Sequence, residues 1–204
     1  GYYGYLWSSV YAEDMFSRFA EEGILKGMYL FRQGGKHKLP TQLLGSGTIL
    51  REVIAAAELL ESDWKVSADV WSAPSFTELR RDGLGADRWN LLHPEESPRV
   101  PYVTRCLADH EGAVVAATDY VKAYADQIRP FMPRGREYRV LGTDGFGRSD
   151  SRQKLRHFFE VNRHWIAVAA LKALADQGDA KPALAGQAMK KYGLDPEKPN
   201  PAMI

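Results

Sequence analysis

The feature that most constrains this chain is a run of five small or branched apolar residues, AVVAA, at positions 113–117. A short, unbroken apolar run of this kind is typical of a strand that other elements cover on both faces. Such a strand belongs in the middle of a sheet that has helices on either side. Further short apolar runs predict strands at 41–44, 68–73 and 138–141.

Helical patterns alternate with these strands. In residues 48–62, Ile49, Val53, Ala57 and Leu60 recur at the 3.6-residue period and form one apolar stripe. Ser75, followed by Glu78, is the pattern of a capping box at the start of a helix. The alternation predicts an α/β fold with three α/β/α layers and a mostly parallel sheet. The other predicted helices are 102–108, 119–128, one that begins at Ser151, 162–177 and 182–192; residues 83–101 are predicted to be a long loop.

The chain is predicted to have two parts. Residues 1–33 form an N-terminal helical arm in which 28–31 could run into a strand, and residues 34–204 form the α/β domain. The formal net charge of +1 gives no indication of nucleic-acid or membrane-surface binding. No apolar run approaches the roughly 20 residues of a membrane span.

The most unusual segment is GTDGFGRSD at 142–150, which follows a predicted strand and precedes a predicted helix. Ligands bind at the carboxyl edge of open parallel sheets, and function concentrates on loops of this kind. The alternative is a rigid loop held by Asp–Arg pairs. The residues that we assign to a candidate interface or ligand loop are Asp144, Gly145, Phe146, Arg148 and Asp150.

Other motifs indicate no catalytic or metal site. GSG at 45–47 precedes a predicted helix, but Leu50 stands where a dinucleotide fingerprint needs its third glycine, which favours a tight turn. His110 and Glu111 are not followed by the second histidine of a zinc HExxH motif. Cys106, the single cysteine, has no evident histidine partner.

From about Ala20 onward the sequence resembles the C-terminal, transketolase-type third domain of the homodimeric bacterial pyruvate dehydrogenase decarboxylating component. The resemblance covers nearly the whole chain, and its last stretch is highly specific. The stretches that show it are AEEGILKGMYLF, QLLGSGTILREV, ADVWSAPSFTELRRDG, DRWNLLHPEESPRVPYV, ATDYVKAYADQIRPFMP and YRVLGTDGFGRSDSRQKLRHFFEV.

The resemblance implies a cytoplasmic dimeric enzyme that decarboxylates pyruvate and passes the acetyl group to the lipoyl arm of an acetyltransferase partner. It also implies thiamine diphosphate and magnesium as cofactors of the full enzyme. The family's cofactor-binding and catalytic groups precede this region, so none is assigned to the present chain. We therefore expect a structural and dimerisation domain that is inactive alone. The alternative is a stand-alone ligand-binding or protein-interaction module that uses the loop at 142–150.

The first nineteen residues are expected to have a different origin. GYYGYLWSSVYAEDMFSRF resembles a tyrosine-rich segment of the thimet-oligopeptidase and dipeptidyl-carboxypeptidase zinc peptidases, and Tyr2, Tyr3 and Tyr5 match that motif. Without HExxH no peptidase activity is expected. A join near Ala20 and the missing initiator methionine predict a chimera or a piece of a longer protein. Apolar surface left by missing domains predicts self-association.

Overall fold

A five-stranded sheet organises residues 21–204, which are the residues that the computed structural model describes. The strand order is β1-β3-β2-β4-β5; β1 is antiparallel to β3, and all other neighbouring pairs are parallel. The predicted α/β fold with a mostly parallel sheet is therefore confirmed. The strands are β1 Tyr29–Arg32, β2 Leu39–Gly45, β3 Val66–Ser72, β4 Ala113–Ala117 and β5 Tyr138–Leu141.

Helices cover both faces of this sheet. The α-helices are α1 Leu50–Trp64, α2 Phe76–Leu92, α3 Tyr102–Ala108, α4 Lys122–Asp126, α5 Arg152–Phe158, α6 Arg163–Gln177 and α7 Ala183–Lys191. Short 3₁₀ helices lie at Gly47–Ile49, Arg129–Phe131 and Pro201–Met203. In the part of the chain that is described, no helix is both long enough and apolar enough to span a membrane.

The strand β4 links two separate apolar cores. All five of its residues are buried, with Val115 in the core beneath α1, α6 and α7, and Val114 in the core beneath α2, α3 and α4. Because successive side chains of a strand point to opposite faces, one continuous apolar run supplies both cores. The AVVAA run was therefore a correct indicator of the three-layer architecture.

Two helix boundaries differ from the prediction. The helix α2 continues to Leu92, through the segment predicted as loop from residue 83. Gly83 is buried inside this helix, where a Cβ would lie 2.5 Å from the Phe131 ring, so this glycine permits close packing rather than a turn. The helix α4 begins at Lys122 rather than at Asp119. Lys122 N–H donates to Asp144 Oδ1 at 2.8 Å, and Asp119 accepts a hydrogen bond from the Thr48 hydroxyl.

The sheet extends into the predicted N-terminal arm. Tyr29 and Leu30 of β1 are paired with Ser72 and Trp71 of β3. An edge strand of the sheet thus lies within the segment 1–33 that was predicted as an arm, in which 28–31 could run into a strand. Residues 21–26 are helical; residues 1–20, which include the peptidase-like segment 1–19, lie outside the described residues.

A tight backbone approach at Gly112 fixes the start of β4 beside β2. Gly112 has a φ of +89°, and a Cβ there would overlap the Pro40 carbonyl oxygen. Gly178, which ends α6, has a similar φ of +94° with no atom within 4 Å of a Cβ position. The two glycines share a left-handed backbone and differ in their surroundings.

We predict that Gly112→Ala destabilises the fold far more than Gly178→Ala. An alanine in the left-handed backbone conformation lowers the free energy of unfolding by about 1 to 2 kcal/mol, and this loss applies to both variants. Overlap with Pro40 adds about 1 to 3 kcal/mol in Gly112→Ala only. Urea unfolding of the three proteins measures the difference. Equal losses of unfolding free energy in the two variants would contradict the close packing of β4 against β2.

Candidate functional site

The carboxyl ends of β2, β4 and β5 meet at one edge of the sheet. The 3₁₀ helix Gly47–Ile49 follows β2, Asp119 follows β4, and the loop 142–150 follows β5. Backbone hydrogen bonds join these segments: Ser46 N–H donates to the Ala117 carbonyl at 3.1 Å, and Thr118 N–H to the Leu141 carbonyl at 3.1 Å. This is the edge at which open α/β sheets bind ligands.

A pocket of about 480 Å³ lies between this edge and α5. Its volume falls within the range of small-molecule sites. The apolar part of its lining comes from Ile49, Leu155, Phe159 and Val161, and the polar part includes Thr48, Asp119, Thr143, Arg148 and Arg152. An apolar lining with a few polar groups is the usual composition of a ligand site.

The predicted loop residues divide into two groups. Gly145, Arg148 and Asp150 line the pocket. Asp144 has a structural role instead, because its Oδ1 accepts a hydrogen bond from Lys122 N–H at 2.8 Å where α4 begins. Phe146 is 82% exposed and is not among the lining residues.

Sequence reasoning did not single out Thr48, Asp119, Thr143 and Arg152, which also line the pocket. Thr48 donates its hydroxyl hydrogen bond to Asp119 Oδ2 at 3.1 Å, and Thr143 donates to the Asp119 backbone carbonyl at 2.6 Å. The position of Asp119 directly after the predicted strand 113–117 was the available signal, since carboxyl ends of parallel strands converge. Nothing in the sequence pattern indicated that Arg152 of α5 would line the same pocket.

The GSG segment forms a tight turn, as expected. Ile49 N–H donates to the Ser46 carbonyl at 3.2 Å, and Gly47 has a φ of +56°. A Cβ on Gly47 would lie 3.3 Å from Asp119 Oδ1. Glycine here therefore allows the turn and keeps the Asp119 carboxylate uncrowded.

Glu52 of α1 joins three helices behind this pocket. Its residue surface is only 6% exposed, and its Oε1 accepts from Arg156 Nη1 of α5 at 2.9 Å. Its Oε2 accepts from both the backbone N–H and the Nε of Arg163, the first residue of α6, each at 3.0 Å. A buried carboxylate is tolerated because these charged donors satisfy it.

The environment of Glu52 holds its side chain ionised. Burial alone would raise the pKa of Glu52, but hydrogen bonds and the positive charge of Arg163, together with the charge of Arg156, outweigh it and lower the pKa. The same hydrogen bonds raise the pKa of Arg163. The carboxylate therefore stays charged at neutral pH and fixes α5 and α6 against α1.

We predict that Glu52→Gln lowers the unfolding free energy by about 2 to 3 kcal/mol, because two guanidinium groups lose their carboxylate partner. Glu58→Gln is the matched control on the same helix, since Glu58 is 64% exposed where it pairs with Arg32. The unfolding free energy of Glu58→Gln should fall by less than about 1 kcal/mol. Urea unfolding at pH 7 measures both.

The same pair of proteins gives a pH test. A carboxylate with a lowered folded-state pKa stabilises the fold fully above its ordinary pKa, near 4.5, and the stabilisation disappears as pH falls through the lowered value. The gap between wild type and Glu52→Gln should be constant above pH 5 and shrink in more acidic solution. A gap that widens on acidification would show that Glu52 is not held ionised.

The pyruvate dehydrogenase resemblance implies magnesium in the full enzyme, and the two carboxylates at the pocket already accept hydrogen bonds within the protein. Asp119 is bound by Thr48, and Asp150 Oδ1 accepts from Ser151 N–H at 2.6 Å. Within residues 21–204, no group of three or more His, Cys, Asp or Glu side chains is placed to hold a metal ion.

Relatives in bacteria match almost the entire chain. A Pseudomonas aeruginosa protein named pyruvate dehydrogenase E1 component is 57% identical over 201 residues, covering 98% of this chain and 23% of the relative. The Cupriavidus necator protein of the same name is 59% identical over 186 residues, covering 90% of this chain and 21% of the relative. The chain thus spans about a fifth of the length of the curated relatives that it matches.

The Pseudomonas alignment corrects the expectation for the N-terminal segment. It leaves only about 2% of the chain unaligned, so it includes most of residues 1–19. A segment that continues the same alignment does not support a zinc-peptidase origin or a fusion near Ala20. The short tyrosine motif was too small a signal to identify a family.

Solved structures and family comparison agree on the fold. Transketolase from Leishmania mexicana superimposes with a TM-score of 0.50 at 17% identity, covering 78% of this chain and 19% of that chain. Residues 27–162, two thirds of the chain, match the family described as the transketolase-like TK C-terminal domain. This match begins before β1 and ends where α6 starts, so it includes all five strands and the loop 142–150. The chain belongs to the transketolase-like C-terminal domain family.

Proposed function

We propose that these residues form the C-terminal structural and dimerisation domain of a pyruvate dehydrogenase decarboxylating component. The observation behind the proposal is 57% identity over 98% of the chain with a relative named pyruvate dehydrogenase E1 component. The stand-alone ligand or interaction module predicted as the alternative has no comparable support. The domain stabilises an enzyme whose reacting groups lie elsewhere in a longer polypeptide.

In the proposed enzyme, pyruvate is oxidatively decarboxylated and its acetyl group passes to the lipoyl arm of an acetyltransferase partner. Thiamine diphosphate and magnesium belong to the other domains. The charged side chains of residues 21–204 support this division of roles. The most buried carboxylate among them, Glu52, binds Arg156 and Arg163 rather than facing open space. A carboxylate satisfied in this way stabilises structure and is not poised for proton transfer.

An exposed apolar patch at the carboxyl edge supports the dimerisation role. The edge patch consists of Tyr120, Tyr124, Phe146 and Met203, whose exposed fractions are 64%, 49%, 82% and 81%. The four lie on neighbouring segments: Thr143 N–H donates to the Tyr120 carbonyl, and Gly145 packs against the 3₁₀ helix Pro201–Met203. Exposed apolar patches mark protein contacts, and here the proposed occupant is a second copy of the domain.

We predict that the chain self-associates through this edge patch. Sedimentation velocity should show a monomer–dimer equilibrium at protein concentrations up to about 100 µM. The double variant Phe146→Ser, Met203→Ser should weaken the dimer at least about tenfold, because both apolar side chains leave the contact. Leu91→Ser is the control, since Leu91 is 78% exposed near the end of α2 and is not one of the edge-patch residues.

A wild-type chain that stays monomeric throughout this range would contradict self-association. An equal effect of Leu91→Ser and the double variant would show that the contact is not at the edge patch.

A domain replacement tests the proposed function itself. The segment of the Pseudomonas relative that aligns with this chain is exchanged for the chain, and pyruvate-dependent activity of the hybrid is compared with the parent and with a deletion of the segment. We predict that the hybrid retains activity within about tenfold of the parent, because the scaffold is equivalent. The deletion should abolish activity through loss of the assembled fold.

The hybrid is also examined by circular dichroism and gel filtration. A hybrid that folds and assembles as the parent does, yet has no activity, would contradict the proposal that the domain is interchangeable within this enzyme class.

A further inference from the structure

Two arginines at the pocket, Arg148 and Arg152, have no charged partner among the described residues. Within residues 21–204, neither Arg148 nor Arg152 forms an ion pair or a side-chain hydrogen bond, although both line the pocket. Arg156 and Arg163, by contrast, are bound to Glu52. The pocket therefore has two guanidinium groups available to an anion.

The Arg148 guanidinium is held in position without being neutralised. Its Cζ lies 4.4 Å from the centroid of the Phe158 ring at the end of α5. A guanidinium stacked on an aromatic face keeps the N–H donors at its edge free to bind two oxygens of an anion such as a phosphate. Arg152, the first residue of α5, adds a second positive charge to the same pocket.

The sheet edge contributes groups of a different kind to the same pocket. Asp119 has acceptor oxygens only; Thr48 donates to its Oδ2, and Gly47 leaves Oδ1 uncrowded. A carboxylate in this position repels an anion and accepts hydrogen bonds from hydroxyl groups. Asp150 also lines the pocket, and its Oδ1 accepts a hydrogen bond from Ser151 N–H. The arginines and the carboxylates of the pocket thus favour different parts of a ligand.

Apolar side chains complete the lining of this space. Ile49 and Val161 are at most 1% exposed and belong to the core beneath α1 and α6, and Leu155 and Phe159 are half-buried. Their position on packed elements makes this surface preformed, which lowers the entropic cost of binding. A flat, weakly polar ring is the kind of group that such a surface accepts.

We propose that this pocket binds a nucleoside phosphate, with the phosphate at Arg148 and Arg152, the sugar hydroxyls at Asp119 and the base over Leu155 and Phe159. The pocket volume of about 480 Å³ accommodates a ligand of this size. The site is separate from the catalytic role assigned to other domains, so it stands or falls independently of the proposed enzyme.

Isothermal calorimetry on the 204-residue chain tests this site with AMP, GMP, CMP and UMP, and with adenosine and inorganic phosphate as separate titrants. At least one nucleotide should bind with a Kd below about 1 mM, and at least about tenfold more tightly than adenosine or phosphate. Arg148→Gln and Arg152→Gln should each weaken binding at least about fivefold, because each removes a charged phosphate donor.

Arg80→Gln is the control, since Arg80 is exposed on α2 on the other face of the sheet and should leave the Kd unchanged. Absence of binding by all four nucleotides would overturn the proposal. So would phosphate that binds as tightly as the nucleotides, or wild-type affinity in both pocket variants. Thermal melts of the variants exclude unfolding as the cause of a lost affinity.

Discussion

Burial of β4 on both faces is the constraint on which the architecture depends. Five consecutive apolar residues, Ala113–Ala117, leave no polar face for solvent, so helices must pack on each side. Gly112 allows the strand to begin directly beside the Pro40 carbonyl of β2. Parallel pairing with β2 and β5 then brings the carboxyl ends of three strands together, and the pocket at the sheet edge follows from that convergence.

A second set of interactions, centred on Glu52, fixes the helices that border this pocket. The residue lies on α1, yet its partners Arg156 and Arg163 belong to α5 and α6, more than a hundred positions along the chain. The segment between α5 and α6 is short, and the shared carboxylate sets the orientation of both helices. The position of Arg152 at the pocket therefore depends on a buried ion cluster as well as on the apolar core.

Much of this fold was predictable because the strands are marked by short apolar runs in the sequence itself. The predicted strands 113–117 and 138–141 coincide with β4 and β5, and the Ser75 cap was correct, with Glu78 N–H donating to the Ser75 hydroxyl oxygen at 3.1 Å. The extent of α2 was not predictable, since Gly83 is required by a contact with Phe131, distant in sequence. The site was only partly predictable for the same reason: Arg148 lies in an unusual loop, whereas Thr48 and Arg152 join it through tertiary packing.

We propose that these residues stabilise and assemble an enzyme without performing its chemistry. Release of labelled carbon dioxide from [1-¹⁴C]pyruvate tests it most directly, with the purified chain in excess thiamine diphosphate and magnesium and an artificial electron acceptor. The account predicts no release above that of a protein-free mixture, while the domain-replacement hybrid in the same assay gives a signal. Turnover by the isolated chain that rises in proportion to its concentration would contradict the account.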